Sequence, residues 1–545
     1  NALLLPQEID KERKVVLAEM RGRDSAQYRI FKSTLKFEFP GALISERLPI
    51  GKKEVLENAD RELVKEFYDA WYRPEKMMIV MAGDFDLKTA GRKIEDTFSD
   101  ITARAPARKP PELGEISHEG IVPFYHFEEK VGDASVSIEV LNKVQDEPDT
   151  RAFRKRLLTK NVADEIVQNR LDKLLRQADT PFTSASVGSG IYLEKVFYGD
   201  ISADSGSENW EKSLAVLEQE LRRALKFGFT NPELDRVKKD YITSLKTAVK
   251  KAETRETRHL SRQIIRDVNS DQVFMSPKQR LDLYLPMIEE LTAESVHEAF
   301  KETWSQSHRL ILVTGNAVLA DKQANPETHI LRVFNQSREK EVTPPEEERE
   351  VKFPYLPEPE NSGGIVQKTV ASDLDIVRID FENGLRLNYK KTDFKDDEIL
   401  VNVSFGQGES GEPRNLPGLS ELSGSVINES GFGALDREEL NRALAGKNTS
   451  MYFTIDENDF QLKGDTVSDE IPLMFQLLRT QLIDPAFRKE AFELVLERYR
   501  LSYLRKTRSV EGILGIRGTH FLAGGDNRFG LPDYEVIQKT TLQDI

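Results

Sequence analysis

Two glutamates near the start of the chain have the types and spacing best suited to chemistry. Glu12 and Glu19 lie seven residues apart in PQEIDKERKVVLAEMR (Pro6–Arg21). Seven residues are two helical turns, so both carboxylates share one helix face. One carboxylate can then bind a metal ion while the other supports it as an acidic neighbour. Glutamates at this spacing are also common on solvated helices, so the spacing alone favours an ordinary surface pair.

The seven histidines form no recognisable metal motif in the sequence. None lies four or five residues from another, so neither His-x-x-x-His nor His-x-x-Glu-His occurs. His126 lies on an alternating, strand-like segment and His259 on a charged helix face. Both are interpreted as structural or surface residues. The absence of cysteine excludes disulfides, thiolate metal sites and cysteine catalysis.

Composition narrows the class of protein. The 545 residues are 38% hydrophobic and 31% charged, which is typical of globular proteins with enough chain for several cores. No apolar run approaches the roughly 18 residues that a membrane helix needs. The formal net charge of −15 argues against a nucleic-acid partner.

The elements that position the glutamates belong to a long repeat. The pattern of Glu62–Asp84 predicts an amphipathic helix that ends in aromatic residues, then the apolar strand MMIVMAG and a turn. Ser295–Asn316 follows the same order at a shift of 233 residues. In this alignment the first copy's Phe67, Trp71 and Val80 meet the second copy's Phe300, Trp304 and Val313. A unit of sheet and helices has therefore been used more than once.

A third copy follows the same pattern. Pro485–Arg500 aligns with Pro6–Arg21 at a shift of 478, so Glu490 and Glu497 take the places of Glu12 and Glu19. The middle copy is expected to begin its equivalent helix at Pro232 and to continue it to about Asp267. The first copy has only five residues before Pro6, so the chain is expected to start inside one domain and to end inside another.

The predicted architecture is α+β, with repeated domains of an antiparallel-rich sheet and helices on one face. Residues 1–112 are predicted to form the C-terminal half of a first domain, and residues 113–342 a second repeat domain. Residues 343–372 are predicted to form an acidic Pro/Gly-rich linker, and residues 373–545 a third domain. The third domain is expected to open with strands around the Asn383-Gly384 turn.

Several motifs occur together in a characteristic order. They are DKERKVVLAEMR, RDSAQYR, FPG, ERLPIG and FYDAWYRP, followed by the Gly83-Asp84 turn. This series resembles the insulinase/pitrilysin family of zinc metallopeptidases, whose catalytic motif is an inverted His-x-x-Glu-His. The resemblance is most specific in residues 8–90 and extends through the repeats over essentially the whole chain. It implies a bacterial, single-chain, four-domain member and the fold of insulinase and the mitochondrial processing peptidases.

The resemblance also implies roles for the two glutamates. In the family, two histidines and a downstream glutamate bind Zn²⁺, and the glutamate within the motif is the general base. Glu19 takes the place of the third zinc ligand, and Glu12 that of the acidic neighbour that supports the site. The His-x-x-Glu-His segment is missing from this chain, because in the family it lies further upstream of that glutamate than Asn1 does here. The chain alone is therefore expected to be inactive.

The third copy contains the segment that corresponds to the missing His-x-x-Glu-His region, but this segment has no histidine to bind a metal. The family's Gly-Leu-x-His opening is recognisable in Gly418-Leu419, and the zinc positions read Glu421, Gly424 and Ser425. No imidazole is available at these positions, so the third domain, like the second, is expected to be a degenerate repeat.

The resulting expectation is a zinc-dependent endopeptidase that encloses peptides or unfolded polypeptides in a clamshell chamber. The expected cofactor of the intact protein is Zn²⁺, its expected state is a monomer or a homodimer, and its expected compartment is the periplasm, with the cytoplasm as the alternative. No nucleic-acid partner and no membrane span are expected. The alternative function is that of a non-catalytic homologue, acting as a scaffold or as a partner subunit of a protease complex.

Overall fold

The structure, a computed structural model, describes residues 2–144, 147–319, 325–346, 349, 351–360 and 363–545. Its first part, here called the N-terminal helical segment, contains helices α1 (Pro6–Gly22), α2 (Ala26–Glu38), α3 (Lys53–Asn58), α4 (Arg61–Trp71) and α5 (Leu87–Phe98), with short 3-10 turns at Leu43–Ser45 and Pro74–Lys76.

The next part, here called the central unit, combines one sheet with long helices. Its elements are β1 (Ile121–Phe127), β2 (Ala134–Lys143), α6 (Arg151–Leu175), β3 (Phe182–Tyr192), β4 (Val196–Ser205), α7 (Trp210–Phe227), α8 (Asn231–Lys250), α9 (Thr257–Asn269), α10 (Pro277–Glu289), α11 (Ala293–Thr303), β5 (Arg309–Gly315) and α12 (Pro326–Glu339).

The last part, here called the C-terminal unit, contains shorter elements. They are β6 (Ile365–Ala371), β7 (Ile376–Phe381), β8 (Arg386–Tyr389), β9 (Ile399–Phe405), α13 (Leu419–Ser430), α14 (Arg437–Ala443), β10 (Ser450–Ile455), β11 (Phe460–Thr466), α15 (Ile471–Ile483), α16 (Lys489–Lys506), α17 (Val510–Ile513), α18 (Thr519–Leu522) and α19 (Tyr534–Ile537), with 3-10 turns at Gly408–Gly411 and Ser468–Glu470 and a π-helical turn at Leu514–Gly518.

The central sheet has the strand order β1-β5-β2-β4-β3, and its pairs are antiparallel except the parallel pair of β1 and β5. Alternate residues of β2 point to one face, where Val136, Ile138 and Val140 are at most 1% exposed. They share a core with α6, α7 and α11. The predicted class, a sheet with helices packed on one face, is confirmed.

The opposite face of the central sheet is partly covered by α2 and the residues that follow it. Leu35 and Phe39 pack there against Leu310 and Leu312 of β5. This contact attaches the N-terminal helical segment to the central unit, and it places the polar outer side of β2 and β4 near the end of α2.

Two predicted elements differ in the structure. The segment predicted as the strand MMIVMAG forms no strand, and Met77, Ile79 and Met81 are about half exposed. An extended segment becomes a strand only by pairing, and no neighbouring strand pairs with it in the part of the chain that the structure describes.

The single helix expected from Pro232 to Asp267 is divided into two helices, α8 and α9. Between them the Arg255 Nε donates to the Ala252 carbonyl at 2.9 Å.

The C-terminal unit has two three-stranded antiparallel sheets, β6-β7-β8 and β10-β11-β9. The predicted Asn383-Gly384 turn joins β7 to β8, with Gly384 at φ +84°, a conformation that glycine adopts at low cost. Strand β6 lies within the stretch predicted as a linker, and Phe353 of that stretch packs in a cluster with Phe432. Residues 347–348, 350 and 361–362 of the predicted linker lie outside the described residues, and the four domain boundaries stay predictions.

The central and C-terminal units contact each other along α8. The Thr243 hydroxyl donates to the Gly446 carbonyl at 2.9 Å, and the Thr247 hydroxyl to the Asn448 side chain at 2.7 Å. Elsewhere the Arg508 guanidinium donates to the Val131 carbonyl at 2.6 Å. The two units therefore share a hydrogen-bonded interface.

Candidate functional site

Helix α1 presents both predicted site residues on one face. It begins at Pro6, whose missing N–H costs nothing in the first turn, and it runs without a break to Gly22. Glu12 and Glu19 are both exposed, and Arg23 forms an ion pair with Glu19, whose side chain is 45% exposed. The shared face is thus open to solvent, which keeps the two carboxylates accessible to a ligand or to another protein surface.

The described residues do not complete a metal site. Among them, no three His, Asp or Glu side chains are arranged to hold one ion. Glu19 supplies at most one ligand, and a single exposed carboxylate does not hold Zn²⁺ against water. The assignment of Glu12 and Glu19 stays a prediction.

The third copy shows how the equivalent helices meet. Helix α16, the repeat of α1, packs against α13 through Val495 and Tyr499 on one side and Leu422 and Val426 on the other. Helix α13 contains the residues predicted to take the places of the His, Glu and His of the family's His-x-x-Glu-His motif, here Glu421, Gly424 and Ser425. The helix carrying the downstream glutamates and the helix carrying the motif are therefore neighbours in this fold.

Helix α13 is fixed by polar residues that the sequence did not point to. The buried Glu412 carboxylate accepts hydrogen bonds from the backbone N–H groups of Gly418 and Ser420, each at 2.8 Å, and so stabilises the helix start. At the other end, the Asn428 amide donates to the Phe453 carbonyl at 2.7 Å and its oxygen accepts from the Phe453 N–H at 2.8 Å. A three-dimensional contact of this kind leaves no periodic signal in the sequence.

A second unpredicted group is a half-buried set of three carboxyls between α2 and the central sheet. Glu139 of β2 and Asp200 of β4 are directly paired across the strands, and burial followed by repulsion from the neighbouring carboxyl raises the pKa of each to about 8. Burial also raises the pKa of Glu38, at the end of α2, to about 7. Charged carboxyls are disfavoured here, so this cluster holds protons near neutral pH.

Three of the histidines, His126, His259 and His329, lie on separate elements beside acidic side chains. His126 lies on β1, with its Nε2 4.0 Å from the Glu128 carboxylate, and His259 faces solvent beside Glu256. The buried His329 contacts the Glu211 carboxylate at 2.8 Å. These residues are far apart along the chain and belong to different elements.

Comparisons with known proteins agree with this arrangement. The family profile described as the Peptidase M16 inactive domain matches residues 58–241. The chain is 23% identical over 457 residues to the probable zinc protease PqqL of Escherichia coli, covering 82% of this chain and 47% of that protein. These matches support the resemblance of the chain to the M16, or insulinase/pitrilysin, family of zinc metallopeptidases.

Solved structures of two bacterial or related proteases show a similar fold that covers the whole chain. The periplasmic protease PqqL from Escherichia coli has a TM-score of 0.58 at 19% identity, and all of this chain covers 60% of it. A mutant of the ferredoxin protease FusC, in complex with Arabidopsis ferredoxin, has a TM-score of 0.63 at 16% identity, with 60% of that chain covered. The chain spans about half the length of the curated relatives it matches, between 41% and 53%.

Proposed function

We propose that the intact protein is a zinc-dependent metalloendopeptidase that degrades or processes peptides and unfolded polypeptides in an enclosed chamber. In this proposal Glu19 is the third metal ligand and Glu12 the acidic neighbour that orients it. The His-x-x-Glu-His helix that would complete the site is not among the residues of this chain.

The observation that carries the proposal is the open acidic face of α1. In the C-terminal unit the equivalent helix, α16, is covered by α13, the helix that contains the degenerate zinc positions. The same packing on α1 would bring a motif-bearing helix alongside the helix that carries Glu12 and Glu19. Because the described residues do not by themselves fit Zn²⁺, no catalytic step is derived for this chain alone.

The substrate class and the compartment are proposed from relatives. The FusC structure contains a protein, ferredoxin, and the structure of PqqL is that of a periplasmic protease. No helix among the described residues is long and apolar enough to cross a membrane. From these relatives we propose that the intact protein is periplasmic and acts on polypeptides, and cell fractionation with an antibody to the C-terminal unit tests the compartment.

The decisive experiment measures bound zinc and peptide cleavage in the full-length protein and in three variants. Glu19→Gln is expected to abolish both, because it removes a metal ligand. Glu12→Gln is expected to lower zinc affinity by about 10–100-fold, the usual cost of losing a supporting group. Asp10→Asn is the matched control on the opposite face of α1, where Asp10 bonds Arg13, and should change neither.

A wild-type protein with neither zinc nor cleavage would instead support the alternative, a non-catalytic scaffold or partner subunit. One observation favours that alternative: the C-terminal unit keeps both glutamates of α16 and a well-packed α13 without any imidazole at the zinc positions. The fold thus persists where the metal chemistry is absent.

A further inference from the structure

In both units, a helix leads directly into the outermost strand of a sheet. The central unit runs from β2 through α6 to β3 and β4, and β3 lies at the edge of the sheet beside β4. The C-terminal unit runs in the same order from β9 through α13 to β10 and β11, and β10 lies at the edge beside β11. Within the described residues, neither edge strand pairs with a further strand. Such an edge normally presents a row of free backbone groups that can accept an added strand.

At the β10 edge, the side-chain amide of Asn428 occupies the place of an added strand. Its nitrogen donates to the Phe453 carbonyl at 2.7 Å, and its oxygen accepts from the Phe453 N–H at 2.8 Å. Two bonds to one residue are the pattern that an antiparallel neighbour makes. Phe453 lies in the middle of the short strand Ser450–Ile455, so this one amide interrupts the edge.

At the β3 edge, the side-chain amide of Gln168 on α6 makes the equivalent contact. Its nitrogen donates to the Ala185 carbonyl at 3.1 Å, and its oxygen accepts from the Val187 N–H at 3.0 Å. Bonds to the two residues that flank a third, here Ser186, are the slanted pattern of a parallel neighbour. The Gln168 nitrogen also donates to Asp172 on the same helix at 2.9 Å, which fixes the orientation of the amide.

Other side chains bind β3 on either side of this amide. The Arg498 Nε, from α16 of the C-terminal unit, donates to the Thr183 carbonyl at 3.1 Å. At the other end, the Ser189 hydroxyl donates to the Asp164 carboxylate of α6 at 2.6 Å, and this carboxylate also accepts a hydrogen bond from the Ser189 backbone. Asp164 is only 7% exposed, so these bonds are shielded from water. Every second residue from Thr183 to Ser189 is therefore bonded to a side chain.

The carboxamide group suits this role chemically. It carries the same donor and acceptor as a peptide group, so one side chain satisfies an N–H and a C=O of the edge at once, which a carboxylate cannot do. The amide comes in each unit from the helix that precedes the edge strand, and in the third copy this helix contains the degenerate zinc positions. Two repeats thus close the same edge by the same chemistry.

We propose that Gln168 and Asn428 are plugs that close the sheet edges of these two repeats to polypeptide, so that an extended substrate does not add to them as a strand. The inference rests on the proposed polypeptide substrate, and it names residues that decide where that substrate binds. Strand addition needs free N–H and C=O groups along several residues, and here those groups are bonded to α6, α13 and α16. The second and third repeats therefore exclude the chain instead of retaining it.

The test uses photo-cross-linking to the full-length protein in EDTA, so that the probe is not cut by a zinc peptidase. The probe is a decapeptide in which Val alternates with Lys, with benzoylphenylalanine at its centre, and cross-linked positions are mapped by mass spectrometry. The comparison peptide has the same side chains, but its central backbone nitrogens are methylated and cannot donate hydrogen bonds. Wild-type protein is expected to give no cross-links at β3 or β10 with either peptide.

Removal of the plugs should open each edge separately. Asn428→Ala frees both backbone groups of the β10 centre, and the double variant Gln168→Ala/Arg498→Ala frees three successive outward positions of β3. Because at least two backbone hydrogen bonds become available, cross-links of the unmethylated peptide at the opened edge should rise about tenfold above the wild type. The methylated peptide should show no rise.

The matched controls are Gln177→Ala and Asn415→Ala, which remove exposed amides next to the same two helices and should give no cross-links at either edge. Circular dichroism checks the fold of each variant, and Asn428→Ser, whose side chain is too short to reach both groups, replaces Asn428→Ala if the latter misfolds. Cross-links at β3 or β10 in the wild type, or a folded variant of either edge without any rise, would overturn the proposal.

The readout is the position of a cross-link and not cleavage or zinc content. A failure of the zinc-peptidase proposal shows in the Glu19 experiment, and a failure of this inference shows in the cross-links, so the two are distinguishable.

Discussion

At the residue scale, the most unusual group is the set of carboxyls formed by Glu38, Glu139 and Asp200. The side chains have polar neighbours, since the Ser137 hydroxyl donates to Glu139 and the Ser202 hydroxyl to Asp200. These bonds favour the charged forms, but burial and mutual repulsion outweigh them in raising the pKa values. The folded protein consequently retains protons that the unfolded chain releases.

The sign of the pH dependence follows from these shifts. Carboxyls of an unfolded chain titrate near pH 4, and those of the folded cluster at about pH 7 to 8. Stability from this cluster is therefore greatest at acidic pH and is lost as pH rises through 8. We expect the urea midpoint of the wild type to fall between pH 5.5 and about 8.5, and Glu139→Gln to reduce that fall.

Glu253→Gln is the matched control, because Glu253 is an exposed glutamate of the same unit. It should leave the pH dependence unchanged. A Glu139→Gln variant with the wild-type dependence would show that the cluster is hydrated and ionised in solution. Because Glu38 ends α2, the same titration is expected to alter protection of the α2 amides from hydrogen exchange.

At the element scale, the contact between α13 and the β10 edge is a local determinant of the C-terminal unit. Asn428→Ala leaves the N–H and C=O of Phe453 without their partner, and Phe453 is only 9% exposed. An unsatisfied buried group costs roughly 1–3 kcal/mol. We therefore expect Asn428→Ala to lower the free energy of unfolding by about that amount, as measured by chemical denaturation.

Asn415→Ala provides the comparison for this substitution, since Asn415 is exposed in the turn before α13. A surface change of this kind is expected to stay within about 0.5 kcal/mol of the wild type. If Asn428→Ala were equally mild, water would be replacing the amide at the β10 edge, and that edge would also be open to strand addition.

The start of α8 shows how the sequence and the tertiary structure act on one element. Thr230 and Glu233 form a capping box, and Glu233 also binds Arg170 of α6, with the Arg170 Nε at 2.6 Å. Thr230→Ala should cost about 1 kcal/mol by thermal or chemical denaturation, while Thr230→Ser should retain most of the cap. Equal losses in both variants would mean that the threonine methyl group, and not the hydroxyl, stabilises this helix start.

At the scale of the whole molecule, a buried ion pair links the central and C-terminal units. The Arg236 guanidinium donates to the Glu438 carboxylate at 2.8 Å, and their side chains are only 13% and 7% exposed. Arg442 lies 3.7 Å from the same carboxylate. The pair therefore belongs to a small network at the interface between α8 and α14.

A double-mutant cycle measures this link. Arg236→Ala and Glu438→Gln are each expected to destabilise the protein, and the double variant less than their sum, with a coupling energy of about 0.5–3 kcal/mol. Arg262→Ala, at an exposed residue of α9, serves as a control that should be additive with Glu438→Gln. Additivity of Arg236→Ala with Glu438→Gln would show that the two units are not held together by this contact.

The sequence by itself determined the features that depend on local chemistry. The repeat predicted helices that end at Trp71 and near Trp304, and both helices are present. The Asn383-Gly384 turn predicted the β7–β8 hairpin, which is also present. The lack of imidazole at Glu421, Gly424 and Ser425 was also visible at once. Periodicity, turn chemistry and residue identity are properties of short segments, so they can be read without knowing what packs against them.

The tertiary structure decided the features that need a distant partner. MMIVMAG has the composition of a strand, but a strand requires a neighbour, and Met77 is exposed instead. Glu38, Glu139 and Asp200 are far apart in the sequence, and only the pairing of β2 with β4 and the docking of α2 on the sheet bring them together. The shared face of Glu12 and Glu19, by contrast, followed from helical spacing alone, because both residues belong to one helix.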